Sequence, residues 1–276
     1  MEHFYLLIII GFCIGTLGTL IGAGGGFILV PLLILLNPGF TPENITAISM
    51  AVVACNAISG TIAYITTKRV DYKAGLIFAA CTVPGSVLGV LTTRVIPRNM
   101  FDIIFGVVLA GLAVFLFMKG GRKNTVSKPL AAHKGWVEQQ LTDKWNEQYT
   151  YAYDMRKGIL LSVLVGYFSP LLGIGGGIIH VPAMVEWLRF PVHIATATSH
   201  FILSIMATVS VVAHYFSGSY EDPAILRIIT GLVIGVIPGA QLGAYLSRRI
   251  KGKIIIRSLA VALGVVGIRI LLSRFF

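Results

Sequence analysis

Residues 4–36 contain no Asp, Glu, Lys or Arg, and no other feature limits the possible folds of this chain so strongly. A helix needs about 20 apolar residues to cross a hydrocarbon core roughly 30 Å thick, and this run exceeds that. Further apolar runs occupy residues 45–66, 74–93, 101–118, 158–188, 192–216, 224–246 and 254–272, separated by turn or charge signals. A spanning strand needs only about 10 alternating residues, so these runs are helices. Composition agrees. Hydrophobic residues make up 56% and charged residues 12%, against about 25% charged in a typical globular protein, and mean hydropathy is +0.85. The expected fold class is an all-α integral membrane protein.

The two halves repeat each other. Gly22-Ala23-Gly24-Gly25-Gly26 with Pro31 matches Gly173-Ile174-Gly175-Gly176-Gly177 with Pro182. Thr46-Ala47-Ile48-Ser49 matches Thr196-Ala197-Thr198-Ser199, and Pro84-Gly85-Ser86-Val87-Leu88-Gly89 matches Pro238-Gly239-Ala240-Gln241-Leu242-Gly243. Three blocks in the same order mark a duplicated unit. The expected organisation is a first transmembrane repeat over residues 1–118, a linker over 119–157 and a second repeat over 158–276.

Charge sets the expected topology. The linker carries eight basic residues (Lys119, Arg122, Lys123, Lys128, Lys134, Lys144, Arg156 and Lys157) against four acids, which places it in the cytoplasm. Counting spans from both sides makes 158–188 start and end on the same face. As one helix it would be about 46 Å long at 1.5 Å per residue, so it must break, and the glycine triplet is where. A similar break in 4–36 gives each half an odd number of crossings. The halves are then inverted, each a Gly-rich broken or re-entrant helix pair followed by three transmembrane helices. Both termini lie outside a cell (inner) membrane, with Arg94 and Arg98 also external. The net charge of +11 sits in short clusters between apolar runs rather than on one basic face, so nucleic acid is not an expected partner. The expected partners are the lipid bilayer and a small anion, and a homodimer is left open.

Glycine triplets are a costly choice for a membrane helix, at roughly 1 kcal/mol per residue relative to Ala. Gly11, Gly15, Gly18 and Gly22, at spacings of four and three, read as a helix-packing stripe. The triplets Gly24-Gly25-Gly26 and Gly175-Gly176-Gly177 have two readings. One is packing alone. The other is a break near the midplane whose freed N–H groups and helix N-terminus hold an anion. On the second reading, Gly176→Ala should fold normally yet lose transport, whereas Gly18→Ala should chiefly change stability.

Polar residues at membrane depth tend to be functional. Ser49, Asn56, Thr198, Ser199, His200 and Gln241 are the candidates for substrate contact, with interhelical hydrogen bonding as the alternative. His180 reads as a core histidine, and Glu186 as the ion-pair partner of Arg189. There is no GK[ST] after either triplet, no GxSG and no HExxH, so neither an enzyme nor a metal or other cofactor is expected. Cys13, Cys55 and Cys81 read as small core residues. Val137, Leu141, Trp145 and Tyr149, at a strict spacing of four, predict an amphipathic helix on the cytoplasmic membrane surface.

With GxGGGxxxxP at Gly22–Pro31 and Gly173–Pro182, Thr198-Ser199 (Ile48-Ser49 in the first half) and PGxxLG twice, the chain resembles the sulfite exporter TauE/SafE family of membrane permeases. That resemblance implies export of sulfur-containing anions such as sulfite, sulfoacetate or thiosulfate. It carries over only the glycine triplets, Ser49 and Ser199, and Ile48 stands where threonine is expected. An inside-negative potential independently favours export, at about 2.3 kcal/mol per charge per 100 mV. The expected function is secondary transport by alternating access around a midplane site. An anion channel, or a membrane enzyme or scaffold using its glycines for packing, is the alternative.

Overall fold

The computed structural model describes residues 4–119 and 136–247, together with 249, 261, 264 and 265. In chain order the elements are α1 (Phe4–Ile21), α2 (Gly26–Leu36), α3 (Pro42–Thr66), α4 (Tyr72–Thr93), α5 (Arg98–Lys119), β1 (Trp136–Thr142), β2 (Gln148–Asp154), α6 (Met155–Leu172), α7 (Gly177–Glu186), α8 (Val192–Phe216) and α9 (Pro223–Ser247). Helices α1, α3, α4, α6, α8 and α9 are long and apolar enough to cross a membrane, while α2 and α7 are short and apolar. The protein is an all-α membrane protein with one small two-stranded hairpin. The expected run at 254–272 lies almost wholly outside the described residues.

Both over-long apolar runs break at their triplets, between α1 and α2 and between α6 and α7. Local chemistry sets several other boundaries. Thr41 caps α3 by accepting from Asn44 N at 3.2 Å, with Pro42 in the first turn. Asp71 caps α4 by accepting from Ala74 N at 3.0 Å. Each cap satisfies one of the amides that a helix start leaves without an intrahelical partner.

Helices α3 and α8 form the centre: 78% and 67% of their spanning windows are buried, against 39% for α1 and α9. The outer helices expose large apolar side chains, including Tyr5, Leu6 and Ile9 on α1 and Leu88 and Leu91 on α4. That surface suits lipid.

The halves are interlocked rather than side by side. Helix α1 packs on α9, α4 on α6, and α3 on α8. The third repeated block explains the first two pairs. A Cβ at Gly85 would stand 2.7 Å from Tyr167 N on α6, and one at Gly89 would stand 2.5 Å from Tyr167 O. In the other half, a Cβ at Gly239 or Gly243 would run into the carbonyl of Phe12 or Thr16 on α1. In both PGxxLG blocks the glycines let two backbones approach, as small residues do in membrane helices.

The linker contradicts its expected helix. Residues Trp136–Thr142 and Gln148–Asp154 pair as antiparallel strands, Trp136 opposite Asp154 and Thr142 opposite Gln148. The spacing of four across Val137, Leu141, Trp145 and Tyr149 misleads because Trp145 lies in the turn. The informative period is two: Tyr149, Tyr151 and Tyr153 fall on one face of β2, and Tyr151 and Tyr153 are buried. Their rings lie 4.7 and 4.8 Å from Phe190, and Tyr153 lies 6.2 Å from Phe78. The Asp143 carboxylate accepts from the amides of Trp145 and Glu147 and closes the turn, which is local chemistry that competes with a helix. Two tryptophans of the linker stack on arginines, Trp136 under Arg189 and Trp145 under Arg69. Glu186 and Arg189 form no ion pair.

Candidate functional site

The glycine triplets meet at the centre of the molecule, where residues 22–26 and 173–177 are fully buried. The two loops share a backbone pattern. Gly22, Gly24 and Gly25 hold φ of 83°, 77° and 85°, and Gly173, Gly175 and Gly176 hold 67°, 75° and 43°. Left-handed backbone disfavours any residue with a Cβ by roughly 1–2 kcal/mol. The last glycine of each triplet opens its helix, and a Cβ there would run into the other loop. At Gly26 it would meet the carbonyl of Gly173, and at Gly177 that of Gly22.

Two candidate serines lock this crossing reciprocally. Ser49 Oγ donates to Gly173 O at 2.6 Å, and Ser199 Oγ donates to Gly22 O at 3.4 Å. Each half's serine therefore holds the other half's loop. The pairing also explains why a serine follows each glycine block in the sequence, which spacing alone did not reveal.

A polar cluster lies beside the first loop. Thr19 Oγ1 donates to Asn56 Oδ1 at 2.8 Å and stands 3.2 Å from His200 Nε2. Tyr64 OH donates to Thr19 O at 2.8 Å, and its ring meets His200 edge to face at 5.5 Å. Gly60 makes room for the imidazole, since a Cβ there would stand 2.6 Å from His200 Cδ2. Asn56 and His200 are fully buried, yet Asn56 Nδ2 and His200 Nδ1 have no hydrogen-bond partner. The repeat is broken here. Counted from the matched blocks, Pro170 takes the place of Thr19, Met206 of Asn56 and Met50 of His200.

At the second loop the notable polar atom is Ser169 Oγ, buried and unpartnered, 3.2 Å from where a Cβ on Gly176 would stand. Gly176 precedes the first turn of α7, whose amides lack intrahelical partners. Alanine at Gly176 would also crowd Met206 Cε at 2.9 Å. With φ at +43°, the expectation that Gly176→Ala folds normally gives way to a strained variant. Gly18 is no independent packing control either, because its Cβ would stand 2.5 Å from Gly25 N, against the triplet itself. Gly11 and Gly15 do face α9.

Thr198 and Gln241 lie apart from the loops. Thr198 Oγ1 accepts from Asp71 N at 3.0 Å, tying α8 to the start of α4. Gln241 Nε2 donates to the carbonyl and hydroxyl of Ser59, tying α9 to α3. His180 is a buried residue near Ser162 Oγ at 3.4 Å. Sequence reasoning missed Thr19, Gly60, Tyr64 and Ser169. Gly60 carried a signal, since it follows Ser49 and Asn56 at helical spacing, but Thr19 stands among apolar residues with none.

The two ends of the bundle are tied differently. At one end the hairpin clasps the α3–α4 and α7–α8 turns. Arg69 makes two bonds to Asp143 Oδ2, at 3.1 and 2.8 Å, Lys144 N donates to Thr67 O, and Tyr151 OH donates to Asp71 Oδ2 at 2.7 Å. Burial alone would raise the Asp143 carboxyl. The bonds from Arg69, Trp145 N and Glu147 N outweigh it and hold the group below the ordinary carboxylate range. At the other end, Arg94 pairs with Glu43 at 3.3 Å, Ser219 Oγ donates to Glu43 at 2.8 Å, and Arg98 pairs with Asp102 and bonds Phe40 O. These ties account for the two arginines that the expected topology leaves external. Among the described residues no three His, Cys, Asp or Glu side chains converge on a metal position.

The family model described as sulfite exporter TauE/SafE matches residues 7–270. The chain is 33% identical to the "probable membrane transporter protein YunE" of Bacillus subtilis, over 99% of each chain. It is 27% identical to a "probable membrane transporter protein" of Methanocaldococcus jannaschii, over 97% of this chain and 95% of that one. An Arabidopsis thaliana "sulfite exporter TauE/SafE family protein 3" is 29% identical over 46% of this chain and 28% of its own length. No solved structure matches the chain.

Proposed function

Because the chain belongs to the sulfite exporter TauE/SafE family, we propose that this membrane transporter exports small sulfur-containing anions, such as sulfite, sulfoacetate or thiosulfate, by alternating access between inverted halves. The observation that carries the reading is the crossing of the two glycine loops, each held by the other half's serine. A site at that crossing lies between parts that must separate as the halves move, which is where an alternating-access transporter keeps its substrate. The first turns of α2 and α7 start at the loops, and their amides and dipoles favour negative charge. Asn56, His200 and the Ser169 hydroxyl supply buried polar atoms beside them. Ser49, Ser199 and the triplets shape the site, while Thr198 and Gln241 hold neighbouring helices.

The linker hairpin is assigned to the cytoplasmic face from its excess of basic residues, with both termini outside. Outward movement of each negative charge is then driven by about 2.3 kcal/mol per 100 mV. The test is flux of radiolabelled sulfite, thiosulfate and sulfoacetate in proteoliposomes. Saturable uptake that accelerates under a potential positive on the lumen side supports the reading. Ohmic current without saturation replaces it with a channel, and no flux of any of the three removes it.

A further inference from the structure

With the Asn56 amide oxygen turned toward Thr19, the Thr19–Asn56–His200 chain sets where one proton sits. Thr19 Oγ1 has a single hydrogen, and it is given to Asn56 Oδ1, which can only accept. The 3.2 Å contact between Thr19 Oγ1 and His200 Nε2 therefore needs its hydrogen on the ring nitrogen. A neutral imidazole carries one N–H, so Nδ1 is left as a bare, buried acceptor without a partner, while Asn56 Nδ2 is a buried donor without one. A bare acceptor repels an anion. The cluster thus offers an anion one donor and one lone pair, and the lone pair must first be protonated.

We propose that this site takes up its anion together with one proton, the proton received at Nδ1 of His200 while Nδ2 of Asn56 donates to the anion. The proposal rests on the anion-transport reading above and adds the coupling ion. The proton comes from the solution to which the site is open and leaves with the anion on the other side. An oxyanion that already carries a hydrogen meets the same pair, its O–H donating to Nδ1 and its other oxygen accepting from Nδ2.

Around the imidazole stand Thr19 from α1, the Gly22 carbonyl from the first loop, and Asn56, Gly60 and Tyr64 from α3. Among the described residues no charged side chain makes a hydrogen bond or ion pair with the ring. Bound anion is then the counter-charge of the imidazolium. A dianion carried with one proton still moves net negative charge, so an inside-negative potential continues to favour its export.

The experiment is thiosulfate and sulfoacetate binding to the purified transporter between pH 6 and 8, by calorimetry in buffers of different ionisation heat. These two probes do not themselves titrate in that range. If binding takes one proton, the apparent affinity weakens by up to about tenfold for each pH unit above the pKa of His200, and one proton is taken up per anion. His200→Gln, which keeps an amide donor toward Thr19, should bind with no pH dependence. Wild-type binding that is strong and flat with pH overturns the proposal while leaving the anion reading in place. That result corresponds to an Asn56 amide turned the other way, with the hydrogen on Nδ1. Failure of both probes to bind overturns the anion reading and the proton coupling together.

Discussion

Replacing Gly177 with alanine should destabilise the protein even though alanine is the better helix former. Gly177 opens α7, and the helix-propensity gain is at most about 1 kcal/mol. Against it, the new methyl would run into Gly22 O and stand 2.9 Å from Ala23 Cα. Both are backbone atoms of a buried loop, so neither can rotate aside. Overpacking of this kind costs about 1–3 kcal/mol. A shifted Gly22 carbonyl also weakens the bond from Ser199, already 3.4 Å long, for about 1 kcal/mol more. The balance is a loss of about 1–3 kcal/mol, or roughly 2–12 °C in Tm by the scaling for chains somewhat shorter than this one. Thermal melts of the detergent-purified variant, followed by tryptophan fluorescence, measure it. Gly39→Ala is the control, because nothing lies within 4 Å of its Cβ position. If Gly177→Ala melts at or above the wild-type temperature, the loops do not touch as described.

The two serines should differ: Ser49→Ala breaks a 2.6 Å bond and Ser199→Ala a 3.4 Å one, so melting should fall further for Ser49→Ala, and the reverse order would count against the geometry. Thr19→Val removes the one group that bonds both Asn56 and His200, leaving two more buried polar atoms unpaired at about 1–3 kcal/mol each; melts of Thr19→Val, Asn56→Leu and the double variant should be clearly non-additive. Asp143 has its carboxyl held below the ordinary value of 3.8, so its contribution to hairpin docking is complete above about pH 4 and disappears as pH falls through the lowered value. Fluorescence of Trp145, which lies 4.9 Å from the Arg69 guanidinium, should report that acid transition, and Asp143→Asn should show the undocked signal already at neutral pH. Single cysteines at Gly39 and Asn146, in a background without Cys13, Cys55 and Cys81, should label from opposite sides of the membrane, Asn146 from the cytoplasm; labelling of both from one side would end the assigned topology.

Six of the spans, the two breaks and the doubled blocks were legible in the sequence because each rests on a local quantity: the length of an apolar run against bilayer thickness, or the order of small residues along the chain. The first two glycines of each triplet are also a local statement, because left-handed backbone disfavours a Cβ wherever the loop ends up. The hairpin was misread for an equally local reason. A spacing of four that included the turn residue Trp145 hid the period of two in Tyr149, Tyr151 and Tyr153. What those residues touch was not in the sequence. Gly177 faces Gly22, Ser49 reaches Gly173, and Thr19 joins Asn56 to His200 only because α3 and α8 cross at the centre and bring together loops far apart in the chain. Composition cannot encode such a meeting, since a buried threonine among leucines looks the same whether its hydroxyl bonds its own helix or links two others. Tertiary packing decided which polar atoms found partners, and that Nδ2 of Asn56 and Nδ1 of His200 beside the first loop, and Oγ of Ser169 beside the second, found none.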